Sequence, residues 1–113
     1  MGPFIKGCTI QIEFTVDEDI TNWEIKAKLY DSSNNSLVLK TTGAGGSDDE
    51  IEKTSASKFV LKVPYGTTQK WEDKATLEIK IDTGSDIGGV AEVLPGYKGT
   101  IQLEDSDLDW DID

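Results

Sequence analysis

The chain has 113 residues, twenty-two acids against eleven lysines, and neither arginine nor histidine, for a formal net charge of −11. A domain of this size hides about two thirds of its unfolded surface and folds without metal or disulfide staples, so one domain is expected. The lack of histidine sets aside Ser-His and Cys-His nucleophiles and imidazole metal ligands, and the lack of arginine in an acidic chain sets aside phosphate backbones and anionic membrane surfaces as partners.

The first strongly patterned segment runs from Cys8 to Val16, with Cys8, Ile10, Ile12 and Phe14 at every second position. Period two is that of a strand with one buried face, so Cys8 is expected to point inward as a small hydrophobe. It is the single cysteine, which excludes an internal disulfide. After an acidic turn over residues 16–22, Trp23, Ile25, Ala27 and Leu29 repeat the pattern, and Trp23 is expected in the core. The Asp31-Ser32-Ser33-Asn34-Asn35 run carries turn-forming side chains and leads by a hairpin into residues 36–41. Residues 42–50 are too rich in glycine and acid to pack and read as a mobile loop.

Alternation resumes at residues 58–63 and stops at Pro64, and residues 65–73 are expected to turn, with one helical turn around Trp71 as that ring caps an open end. Residues 75–81 form the next strand, with Leu77, Ile79 and Ile81 inward. Residues 82–89 read as a hairpin loop, residues 90–94 pair back, and Pro95-Gly96 turns the chain into residues 97–103. About seven antiparallel strands with no helical period predict an all-β, immunoglobulin-like sandwich over residues 1–104. Residues 105–113 form a separate acidic tail.

Chemistry is sparse. A carboxylate acid-base pair needs a cleft that raises one pKa, and scattered surface acids do not provide it. The Gly43 to Gly46 stretch has no following Lys-Ser or Lys-Thr and is flanked by acids, unlike a phosphate cradle. Carboxylates at 17–19, at Asp82 and Asp86, and in the tail offer oxygen ligands for calcium, but none has EF-hand spacing. No enzyme activity, cofactor or metal is therefore expected. No apolar run reaches the roughly 20 residues of a membrane span, and residues 1–12 lack a signal-peptide block, so a soluble chain of the cytoplasm is expected.

One resemblance spans most of the chain. Lys6-Gly7-Cys8-Thr9-Ile10-Gln11-Ile12-Glu13-Phe14, followed by Asp19-Ile20-Thr21-Asn22-Trp23-Glu24-Ile25, resembles the opening of small tailed-phage structural proteins, namely the immunoglobulin-like amino-terminal domain of baseplate upper proteins and related prophage proteins. Ser57 to Pro64, Thr67 to Trp71, residues 75–82 and Lys98 to Leu103 resemble its later strands. The sequence departs from the pattern at Cys8, where a small polar residue is usual, and in the short acidic tail that takes the place of a longer assembly region. The resemblance implies a non-enzymatic virion protein that contacts other tail proteins or itself, located in the virion and, during assembly, in the host cytoplasm. Competing readings are a carbohydrate- or surface-binding module and a small secreted adhesin-like domain. A row of exposed coplanar rings would favour the module, and a long self-pairing edge or arm would favour assembly.

The tail supplies the candidate contact residues. Its sequence, Asp105-Ser106-Asp107-Leu108-Asp109-Trp110-Asp111-Ile112-Asp113, puts Leu108, Trp110 and Ile112 on one side of an extended strand and aspartates on the other. These three are expected to lay an apolar stripe on a partner, or to fold back on the same domain.

Overall fold

The computed structural model describes residues 3–41 and 50–106, and over them the chain is all-β. The strands are β1 (Phe4–Ile5), β2 (Ile10–Thr15), β3 (Glu24–Tyr30), β4 (Ser36–Lys40), β5 (Ile51–Ser55), β6 (Lys58–Val63), β7 (Lys74–Ile87) and β8 (Val90–Glu104). They form a five-stranded sheet in the order β1-β8-β7-β3-β4 and a three-stranded sheet in the order β2-β6-β5. Together these make an immunoglobulin-like sandwich.

The core follows directly from period two. Ile10 and Ile12 of β2 and Phe59, Leu61 and Val63 of β6 point from the smaller sheet toward Ile25, Ala27 and Leu29 of β3 and Ala75, Leu77, Ile79 and Ile81 of β7. Phe14 stacks on Phe59 within its own sheet, with centroids 5.1 Å apart, and meets Tyr97 of the facing sheet at 5.6 Å. Ile20, wholly buried, closes one end, its amide held by the Ala56 carbonyl at 2.8 Å. Trp71 is buried in the core, carried there by a run of turns with no helix. Trp23 is half-buried against the core rather than within it.

The described residues form eight strands, in keeping with the seven or so expected, but several details need correction. One pairing is parallel: β1 runs alongside the end of β8, Phe4 opposite Leu103. The strand Ile51–Ser55 carries only one buried residue, Ile51, so it shows no alternation to read. The expected turn at Pro95-Gly96 is strand, and the expected hairpin loop at residues 82–89 shrinks to Gly88-Gly89, with residues 82–87 in strand, because β7 and β8 form one long hairpin. Both glycines have positive φ, 60° and 83°, the geometry that suits a two-residue turn to strand twist. Pro95 sits where β8 has β7 on one side only, so its missing N–H breaks no ladder bond. Gly96 is the extra residue of a bulge, and a Cβ there would come within 3.0 Å of Ile79 and Ile81. The expected mobile loop lies, from Thr42 to Asp49, outside the described residues.

Cys8 is exposed, not buried. Cys8 belongs to the turn before β2, its N–H bonded to the Ile5 carbonyl at 3.2 Å and Gly7 at φ 83°, and the strand starts only at Ile10, so the alternation of Ile10 and Ile12 does not extend back to position 8. The turn is fixed from both sides: the Gly7 N–H donates to the buried Thr68 Oγ1 at 2.9 Å, and its carbonyl accepts from Gly66 N–H at 2.6 Å. A Cβ on Gly7 would lie 1.9 Å from Gln69 Oε1. Gly7→Ala is therefore expected to lose about 1–2 kcal/mol for the left-handed backbone, whereas Cys8→Ser should stay within about 0.5 kcal/mol of wild type. Chemical unfolding of the two variants checks both, and a large loss in Cys8→Ser would restore the buried reading.

Candidate protein-contact surface

The β7–β8 hairpin is longer than the core it helps to build. Its last core row is Ile81 opposite Leu94, where Ile81 is buried and Leu94 is 39% exposed. Beyond it the hairpin continues through Asp82 opposite Val93, an irregular step, Asp86 opposite Ala91, and Ile87 opposite Val90. Six residues of strand rise about 20 Å, and every residue from Gly84 to Ala91 is exposed. The molecule measures 52 Å along its long axis and 28 and 20 Å across. Its radius of gyration, 15.2 Å, exceeds the roughly 13 Å of a compact chain of this length.

This arm presents apolar side chains that the domain does not use. Ile87 is 63% exposed, Val90 69% and Val93 55%. The base of the arm is ordered: Thr83 Oγ1 donates to Glu92 at 2.8 Å and Gly84 N–H to Asp82 at 2.9 Å. Gly84 also lies so close to the Asn22 carbonyl that a Cβ would approach it to 3.0 Å. From Asp82 to Tyr97 the sequence contains no lysine, and the adjoining turn adds Glu18 and Asp19 beside Glu92. Asp19 is held below the ordinary carboxylate range by hydrogen bonds from the Thr21 hydroxyl and then from its N–H. The arm end is thus apolar and acidic together.

The sequence-predicted contact residues Leu108, Trp110 and Ile112 lie outside the described residues. The base of the tail is described: β8 ends at Glu104, and Asp105 accepts from the Lys6 ammonium at 2.6 Å. Lys6 is buried and also reaches Asp73 at 2.9 Å, while its N–H holds the Glu104 carbonyl. The Asp105 and then the Asp73 hydrogen bond raise the Lys6 pKa against the opposing effect of burial. An open cleft of about 300 Å³ beside it is lined by Lys6, Cys8, Tyr65, Gln69 and Ser106.

The arm's signal in the sequence is Ile87-Gly88-Gly89-Val90, a two-residue hairpin turn between β-branched residues, and Pro95-Gly96, with its turn-like composition, hides the continuous strand behind it. Among the described residues, no group of three or more His, Cys, Asp or Glu side chains is placed to hold a metal ion. No described helix is long and apolar enough to cross a membrane. Tyr65 is the one exposed aromatic ring among the described residues. No protein-family model matches the chain, and no curated protein matches it.

Proposed function

We propose that the chain is a non-enzymatic structural component of a phage or prophage virion, part of its tail or baseplate, that works through protein-protein contacts made by the β7–β8 arm. The observation that carries this reading is the continuation of the hairpin past its own core with Ile87, Val90 and Val93 exposed. Burying a branched aliphatic side chain is worth about 1.5–3 kcal/mol. An arm that leaves three of them in water forgoes that gain until another surface covers it. The resemblance of Lys6 to Tyr30 to tailed-phage structural proteins supplies the class of assembly, and the arm supplies the means of contact.

Particles provide the test. In virions released by the cell that makes the chain, mass spectrometry is expected to find it in fixed copy number. Ile87→Ser with Val90→Ser should keep the melting temperature, since neither residue packs on the core, and should remove the chain from the particles. A chain absent from virions, or retained unchanged with both serines, contradicts the proposal. Saturable binding on a glycan array by the serine variant would instead support a carbohydrate-binding module.

A further inference from the structure

The outer face of the five-stranded sheet carries an arrangement that its own fold does not call for. Lys40 of β4 stands opposite Lys26 of β3, and Lys26 stands opposite Lys80 of β7, so three lysines lie in one row across three adjacent strands. Strands are about 4.8 Å apart, and like charges directly opposite one another destabilise a sheet. All three side chains are exposed, and none has an ion-pair partner among the described residues. In the next row Lys28 and Lys98 flank Glu78, with Lys98 4.0 Å from it and Lys28 lying over the Tyr30 ring at 5.4 Å. That row ends on β4 at Val38, 57% exposed.

Six of the eleven lysines of this acidic chain, Lys74 at the start of β7 included, thus share one face, while the arm end has none. The same face carries Glu24 opposite Asp82 in the row on the other side of the three lysines, and Glu78 in the next, so the unbroken positive charge is that one row. The β4 edge of this face is open at Val38, while at its end the Lys40 N–H donates to Glu50 Oε2 at 3.1 Å. Thr41 N–H bonds the Ile25 carbonyl, so by the alternation of an antiparallel pair Val38 turns its backbone groups outward, away from β3. The face therefore offers a row of positive charge, an exposed valine and, at that valine, an unpaired stretch of strand edge.

We propose that this lysine face is the docking site for the arm of a second copy of the chain. Ile87, Val90 and Glu92 share one face of the incoming arm, Glu92 lying against Lys26, Lys40 and Lys80 while Ile87 and Val90 cover Val38 and the stems of the lysines; Asp86, paired with Ala91, is on the other face. The arm cannot satisfy its own sheet face, because it continues the line of β7 away from the body. Two copies that exchange arms make the contact twice and close as a dimer, whereas a one-way contact propagates head to tail. This inference rests on the reading of the arm as a protein-contact element and names its partner.

Charge reversal tests it. Analytical ultracentrifugation of the full chain should give a mass of two or more chains in about 0.05 M salt and a shift toward one chain in about 0.5 M salt, where screening shortens to a few ångströms. Lys26→Glu with Lys80→Glu, and separately Glu92→Lys, should each stay folded, the first at the wild-type melting temperature, and weaken self-association at least about tenfold, the equivalent of 1.4 kcal/mol. Mixing the two variants should restore association, since each then meets a face or arm of opposite sign. A monomeric wild type at low salt, or a mixture that stays monomeric, overturns the second copy as partner. Neither result bears on whether the arm touches a different protein in the particle, which the incorporation of the Ile87 and Val90 variant reads separately.

Discussion

Leu77→Ala is expected to lower stability by about 2–5 kcal/mol, the cost of emptying a well-packed aliphatic site. Leu77 is 2% exposed, lies in the middle of β7, and pairs with Leu29 on one side and Gly99 on the other. Glycine at 99 offers no side chain to move into the space. For a domain near 100 residues each kcal/mol shifts the melting temperature by roughly 4–8 °C, so a fall of about 10 °C or more should appear in a calorimetric scan. Ile87→Ala, on the same strand but in the arm, should leave that temperature unchanged. Equal losses at the two positions would mean that the arm packs against the body and is not free.

Asp31 carries the second large effect. Its carboxylate is buried and accepts from Ser33 N–H at 3.0 Å, Asn35 N–H at 2.9 Å, Asn35 Nδ2 at 2.8 Å and Glu72 N–H at 3.0 Å. It thereby builds the β3–β4 turn and ties it to the segment before β7. In Asp31→Asn one carboxylate oxygen becomes an NH₂ facing donors, so buried N–H groups lose their acceptor. Hydrogen bonds to charged groups are worth about 1.5–3 kcal/mol, and a loss of about 10 °C is expected at neutral pH. The pH dependence follows from the sign of the shift. Burial pushes the Asp31 pKa up, but the hydrogen bonds from Asn35, Glu72 and Ser33 outweigh it and hold the pKa below its ordinary value. A depressed folded-state pKa gives stability that is present above the unfolded value of about 3.9 and is lost as pH falls through the folded one. The gap in melting temperature between wild type and Asp31→Asn should therefore narrow on acidification below about pH 4. A gap that is constant from pH 7 to pH 3 would contradict the assignment.

Strands with one buried face were legible in the sequence because burial itself writes the pattern. Ile25, Ala27 and Leu29, or Phe59, Leu61 and Val63, alternate since every other residue meets the facing sheet. The same rule fails wherever a strand has no buried face. The arm is exposed on both sides from Gly84 to Ala91, so its residues carry turn-like composition although they are paired strands. Ile51–Ser55 has a single buried side chain, and Phe4–Ile5 is held by the end of β8 rather than by a pattern of its own. Cys8 shows the converse: it has the parity of β2 but sits in the turn before that strand, its N–H bonded to the Ile5 carbonyl. The lysine row was invisible for a different reason. Lys26, Lys40 and Lys80 are dispersed in sequence and meet only through strand register.

Cross-linking inside the particle tests the central claim most directly. A photoreactive amino acid at position 90, at the tip of the arm, should join the chain to another polypeptide or a second copy when assembled virions are irradiated, while the same group at exposed Thr54 on the body marks the background. The arm account predicts a discrete adduct from position 90 well above that from position 54. Irradiated particles that yield no adduct from position 90, with the chain present in them, would show that the arm faces solvent and would contradict the account.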